Sequence, residues 1–223
     1  MSSEPNIIFD LDGTLVDSAP SLCKAGNFLL SKLDRPKIDV ETYKTFIGKG
    51  LLKQIEQLLV HTGGLPIGEL DQHFKLFCDF YNSNALKSTS VYEGVHDALK
   101  SLKSMPSKLA ICTQKMEKPA RAVLGGFDLD QYFDGFSFGD SLSVMKPNPK
   151  MVTYSTRSFK KGPLIYVGDS EIDAVTAQNA GATFLLFSGG YRTSSIEEID
   201  CYAVFDSHAE LLPLVEKILT DGI

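Results

Sequence analysis

Residues 7 to 18 read "IIFDLDGTLVDS": an apolar run that ends on two aspartates two positions apart, followed at once by glycine and threonine. In an extended segment, side chains at i and i+2 share a face. Asp10 and Asp12 can therefore act on one reacting group, one carboxylate attacking while the other moves protons. Comparable polar sets recur along the chain. Thr113, Gln114 and Lys115 follow the apolar run "KLAIC", Lys146 stands in "MKPNP", and Asp169, Ser170 and Asp173 follow "PLIYVG".

Each set, taken singly, has a structural explanation. Asp12-Gly13 is a turn dipeptide. Ser170 and Asp173 fit the S-x-x-D capping box of a helix start. Lys146 is an ordinary loop charge, and Thr113 an ordinary strand residue. What those explanations leave unaccounted for is that the full set falls after successive strands. Carboxylates a few ångströms apart repel by about 1 to 4 kcal/mol per pair. A site holding Asp10, Asp12, Asp169 and Asp173 therefore needs a cation, and all-oxygen ligands favour Mg2+ over zinc. Lys146, the Thr113 hydroxyl and nearby backbone N–H groups would cradle a phosphoryl group. The chain contains no GxxxxGK[ST] loop.

The elements that would position these residues follow from periodicity. "NIIFD" is a short buried strand. From about Ser18 to Ser88 the apolar spacing is helical: Leu22, Ala25, Leu29 and Leu33; then Tyr43, Phe46, Ile47, Leu51, Ile55, Leu58 and Leu59; then Leu70, Phe74, Phe77 and Tyr81. "RPKID" and "HTGGLPIG" break the helices. After "VYEG" the rhythm turns to strands and helices. Strands are expected at 108–113, 133–139, 163–169, "TFLLFSG" and "YAVFD". Helices are expected at "EKPARAVLGGF", "PNPKMVTYSTRSF", "EIDAVTAQNAG" and "SHAELLPLVEKIL", the last capped by Ser207. The expected fold is a doubly wound, mostly parallel α/β sheet with an inserted helical domain. In such a sheet, ligands bind beyond the carboxyl ends of the strands.

Composition narrows the function. With 223 residues, 43% of them hydrophobic, the chain can bury a substantial core. A formal net charge of −6 argues against nonspecific nucleic-acid binding and against anionic membranes. Cys23, Cys78, Cys112 and Cys201 form no CxxC pair, and His61, His73, His96 and His208 show no zinc spacing. The polar start "MSSEPN" has no signal-peptide pattern, and no apolar run reaches the length of a membrane span. A cytoplasmic protein is expected, as monomer or homodimer, acting on a small phosphorylated metabolite.

The chain resembles the haloacid dehalogenase superfamily in its phosphatase branch, on "DLDGTLVDS", T-Q-K, K-P-N-P and "VGDSEID" in that order. The resemblance implies a catalytic core over 1–17 and 89–223 and a mobile helical cap over 18–88. It implies Asp10 as nucleophile and Asp12 as general acid/base. Thr113 would bind phosphoryl oxygens and Lys146 would balance charge. Mg2+ would be held by Asp10, the Asp12 backbone carbonyl and Asp169, with Asp173 in support. Gln114 replaces the asparagine frequent in the family and is expected to contact substrate. "FIGKGLLKQIEQLL" and "GGYRTSSIEEIDCYAVFDSHAELLPLV" look most like phosphoglycolate phosphatases. A carboxylated substrate would then need a cation from the cap, for which Lys49 is the candidate. Relatives of the same architecture hydrolyse pyrophosphate, nucleotides or sugar phosphates, or act as phosphomutases. A dehalogenase is disfavoured by Asp12 and Asp169, and a non-catalytic binding protein by the completeness of the set. "DSAP" and "KSTSVYEG" are expected hinges.

Overall fold

The computed structural model describes residues 4–65, 68 and 70–222. Six strands form one sheet: β1 (Asn6–Phe9), β4 (Lys108–Cys112), β5 (Gly135–Ser137), β6 (Leu164–Gly168), β7 (Thr183–Phe187) and β8 (Ala203–Phe205). Their order is β5-β4-β1-β6-β7-β8, and every neighbouring pair is parallel. β1 lies in the middle, with β4 on one side and β6 on the other. The chain winds outward from it in both directions. The crevice beyond β4, β1 and β6 is therefore the switch point where a doubly wound sheet binds ligands.

Strand periodicity sorts the sheet's side chains onto two faces. Phe9, Ile111, Val167 and Leu185 enter the larger core with Ile7, Leu109 and Ile165. Ile8, Ala110, Cys112, Tyr166 and Leu186 enter the other. Burial on both faces is why these strands read as unbroken apolar runs rather than alternating ones.

Between β1 and β4 lies the helical segment: α1 (Ala19–Lys32), α2 (Val40–Lys44), α3 (Leu51–His61) and α4 (Leu70–Asn84). Leu22, Leu29, Tyr43, Ile55, Leu58, Leu59, Phe77 and Tyr81 are its buried stripe. The apolar spacing runs unbroken from Tyr43 to Leu59, but the structure interrupts it. The chain leaves helix after Lys44 and re-enters at Leu51, with Gly48 and Gly50 at φ +110° and +83°. The break expected at "HTGGLPIG" falls partly on residues outside those described. The chain enters and leaves this segment through a two-stranded antiparallel ribbon, β2 (Val16–Asp17) with β3 (Ser90–Val91), close to both expected hinges.

The remaining helices are α5 (Val95–Ser104), α6 (Glu117–Gly126), α7 (Lys150–Ser155), α8 (Glu171–Ala180) and α9 (Leu211–Asp221). α5 is a helix beyond those expected from the motifs. α7 is shorter than its motif suggested, and β5 keeps only three of the seven residues expected at 133–139. Ser207 caps a 3-10 turn, His208–Glu210, that leads into α9. Among the described residues no helix is long and apolar enough to cross a membrane.

Candidate active site

Asp10 is the first residue past β1, and its N–H donates to the Val167 carbonyl at 3.0 Å. Thr113 is the first past β4, its N–H donating to the Ser137 carbonyl at 3.0 Å. Asp169 is the first past β6. Lys146 arrives from the loop after β5, preceding a cis peptide bond to Pro147. Asp10, Asp12, Thr113, Gln114, Lys146 and Asp169 line one crevice.

The carboxylates are crowded. Ligand oxygens of Asp10, Asp169 and Asp173 lie within 4.8 Å of one another. Lys146 answers part of this charge. Its ammonium donates to Asp173 Oδ1 at 2.7 Å and sits 3.1 Å from Asp10 Oδ1, close enough for an ion pair but not aligned as a hydrogen bond. Asp10 Oδ1 is thus buried without a hydrogen-bond donor. Burial pushes the Asp10 carboxyl up to about 7, the Lys146 ammonium opposes that rise, and Asp173 and Asp12 add to it. Burial likewise drives Asp169 well above the usual carboxylate range, with Asp173 and Asp10 adding to it. Burial alone would lower the Lys146 ammonium, but Asp10 and Asp173 outweigh it and hold it protonated.

Asp169 is fixed from two sides: Oδ1 accepts from the Thr14 hydroxyl at 2.8 Å, Oδ2 from the Tyr191 N–H at 2.7 Å. Neither donor is a cation. Gly13 makes the close approach of the "DGT" turn to this carboxylate possible. It sits at φ +88°, and a Cβ there would stand 2.4 Å from Asp169 Oδ2. Asp173 forms the helix cap its spacing suggested and, in addition, pairs with Lys146. Oδ2 accepts from the Ser170 hydroxyl at 2.7 Å and from the Asp169 and Ser170 N–H groups at 3.2 Å, completing a capping box on α8. Oδ1 accepts from Lys146 and, at 3.3 Å, from the Tyr166 hydroxyl. Both of its oxygens are engaged by the protein.

A hard divalent cation fits this donor set. An unbonded Asp10 oxygen and an Asp169 carboxylate without a cationic partner form an excess of negative charge that a bound divalent cation would relieve.

Across the crevice, Asp12 has its own partners. Oδ1 accepts from the Ser18 hydroxyl at 2.6 Å and from Lys115 at 2.9 Å, and Oδ2 from Lys115 at 3.2 Å. Lys115 also donates to the Tyr81 hydroxyl of α4 at 2.5 Å. Burial would lower this ammonium, but Asp12 and Tyr81 prevail and hold it charged. The sequence assigned Lys115 no role; its position in T-Q-K was the available signal. Nothing local pointed to Tyr81, which looked like one more apolar-stripe residue. Tyr191 was missed as well. Its hydroxyl accepts from the Ser18 and Ala19 N–H groups at 2.8 and 3.0 Å and donates to Asp17 Oδ1 at 2.6 Å, so it caps α1 where no side chain of the helix does.

Of two expected substrate contacts, Gln114 lines the crevice and Lys49 does not. The Gln114 Nε2 donates to the Gly48 carbonyl, tying the core loop to the helical segment. Lys49 is exposed and lines an adjoining groove with Leu52, Phe74 and Met145 rather than the crevice. Its neighbours Gly48 and Gly50 both face the crevice, and the backbone between them carries the lysine outward.

A parallel α/β sheet bears a buried acid–lysine cluster past its central strands, with a helical segment inserted after β1 lining the same crevice. The pattern of the haloacid dehalogenase-like hydrolases matches residues 7–187, and the chain belongs to that family. It is 37% identical over 213 residues to a phosphoglycolate phosphatase of Rhodobacter capsulatus, covering 95% of this chain and 97% of that one. A phosphoglycolate phosphatase of Nitrosospira multiformis is 34% identical over 219 residues, covering 95% of each. Among solved structures, a predicted phosphoglycolate phosphatase from Haemophilus somnus 129pt superposes with a TM-score of 0.90 at 28% identity, over 96% of this chain and 99% of that one. CbbY from Rhodobacter sphaeroides in complex with phosphate shares the fold, with a TM-score of 0.78 at 22% identity over 92% and 95% of the two chains.

Proposed function

We propose that this hydrolase is a Mg2+-dependent phosphatase for a small carboxylated phosphomonoester, 2-phosphoglycolate, working through an aspartyl-phosphate on Asp10. The observation that carries the reading is the Asp10 carboxylate itself: buried, without a hydrogen-bond donor on Oδ1, 3.1 Å from the Lys146 ammonium, in the crevice that Asp12 also lines. The names of the full-length relatives support the substrate.

Asp10 attacks phosphorus, and the bond from phosphorus to the ester oxygen breaks. Asp12 acts as the acid, giving a proton to the departing alkoxide, which leaves as glycolate. Asp12 then takes a proton from water as its oxygen attacks the aspartyl-phosphate. The bond from phosphorus to Asp10 breaks and inorganic phosphate leaves. Thr113 and Lys146 hold the phosphoryl oxygens and offset the charge that gathers there. Asp10, Asp169 and the Asp12 backbone carbonyl would hold the cation, with Asp173 fixing Lys146 and the start of α8 behind them. Bound there, Mg2+ supplies charge neutralisation for the carboxylates and the phosphoryl group. Residues 18–88 act as a cap that admits substrate and excludes water, moving on the β2–β3 ribbon.

The test is phosphate release from 2-phosphoglycolate with Mg2+ and with excess EDTA. Rapid release that EDTA abolishes is expected. Absence of release from this and from other small phosphomonoesters overturns the reading. A phosphorylated product in place of free phosphate would mark a phosphomutase instead.

A further inference from the structure

Under this reading, the carboxylate of the substrate has to be recognised within the crevice. Among the described residues that line it, the cations are Lys115 and Lys146, both from loops of the sheet and both bound to aspartates. Lys49 stands outside it. The helical segment contributes Leu22, Ile47, Gly48, Gly50, Leu51, Gln54 and Tyr81 to the wall instead.

Gln54 is an unusual member of that wall. It lies in the first turn of α3, 7% exposed, on the same helix as buried Ile55, Leu58 and Leu59. Its Oε1 accepts from the Tyr43 hydroxyl at 3.5 Å, and its Nε2 has no acceptor among the described residues. Nε2 is not among the enclosed side-chain atoms that lack a partner, so it is accessible on a residue that lines the crevice. Beside it, α3 begins at Gly50 without a side-chain cap. The N–H groups of Leu51, Leu52 and Lys53 have no acceptor among the described residues. The positive end of an eleven-residue helix thus opens where Gly50 and Leu51 line the crevice.

We infer that Gln54 is the residue that selects a carboxylated leaving group: its amide NH2, with the free N–H groups at the start of α3, receives the distal carboxylate of a short phosphorylated acid. The inference rests on the phosphatase reading and deepens it, replacing a cap lysine by neutral donors. Gln114 is a positioning residue for the same subsite, since its bond to the Gly48 carbonyl holds the loop from which α3 starts. Neutral donors on a fixed helix end suit a buried site, where a bare ammonium would itself need a counter-charge whenever substrate is absent.

The experiment compares kcat/KM for 2-phosphoglycolate with that for ethyl phosphate, which keeps the ester and the two carbons but lacks the carboxylate. The ratio is measured in the wild type, Gln54→Leu, Gln54→Glu and Lys49→Ala. Gln54→Leu should lower the ratio by about tenfold or more, the range for losing a hydrogen bond to a charged group. Gln54→Glu keeps the shape and adds like charge, so the ratio should fall further. Equal losses on both esters in both Gln54 variants would mean a structural role and overturn the inference. So would a ratio that falls in Lys49→Ala and holds in the Gln54 variants. A wild type that hydrolyses both esters without preference also overturns it, while one that hydrolyses neither overturns the phosphatase reading itself.

Discussion

Lys115 holds Asp12 by both carboxylate oxygens, at 2.9 and 3.2 Å, and reaches from there to the Tyr81 hydroxyl on α4. The proposed proton-transfer group is thereby connected, through one buried ammonium, to the helical segment. Lys115→Met removes the cation and keeps most of the apolar stem. With only Ser18 left to orient it, Asp12 should transfer protons poorly. We expect kcat to fall by about 10²-fold, the lower part of the range for general acid–base catalysis. Tyr81→Phe, which leaves the ion pair in place, should cost less. Steady-state kinetics on 2-phosphoglycolate check both, and a kcat near wild type in Lys115→Met would show that Asp12 needs no cationic partner.

Asp10→Asn removes the nucleophile while keeping the shape. Turnover should fall to background, roughly 10⁴-fold or more, and no acid-stable phosphoryl label should be trapped on the protein. The same change removes a buried charge from a crowded site. The metal-free variant should therefore melt higher than metal-free wild type, a trade of stability for activity. A lower melting temperature would contradict the account of the cluster as strained.

That strain has a pH signature. Burial raises Asp10 from 3.8 to about 7 in the folded chain. Between those values the folded state binds more protons than the unfolded state, so this group's contribution to stability falls as pH rises. Asp169 shifts in the same direction. The melting temperature of Asp10→Asn minus that of wild type, both metal-free, should be small near pH 4 and grow toward pH 7. Adding Mg2+ at pH 7 should raise the wild-type value by mass action and narrow the gap. A gap that shrinks with pH would overturn the assignment.

Gly13→Ala should be severe for its size. The added methyl meets Asp169 Oδ2 at 2.4 Å, at a φ of +88° that alanine adopts only with strain. We expect a loss of about 1 to 3 kcal/mol in stability. The Mg2+ concentration needed for half-maximal rate should also rise, because Asp169 must turn away. Denaturant melts and a Mg2+ titration measure the two effects.

Gln114→Asn shortens the arm that reaches the Gly48 carbonyl. If that contact holds the α3 loop in place, KM for 2-phosphoglycolate should rise several-fold with a smaller change in kcat. An unchanged KM would show that the loop is placed without it.

The sheet and its polar strand ends were legible because they are local. An apolar run of four or five residues makes a strand, and parallel neighbours bring their ends to one edge. Asp10, Thr113 and Asp169 therefore share a crevice, however far apart they stand in the chain. The capping role of Asp173 was visible as S-x-x-D spacing, whereas its pairing with Lys146 was not. What local pattern left undetermined lies where the helical segment meets the core. The apolar stripe from Tyr43 to Leu59 crosses a loop without a change of rhythm, so it concealed the start of α3. One residue of helix turns a side chain by about 100°, and the loop before α3 turns it further. The position of that short stretch over the sheet decided that Lys49 faces solvent and Gln54 lines the crevice, and the packing of α4 brought Tyr81 to Lys115. Chain-local chemistry named the acids; only packing between two distant segments chose their partners.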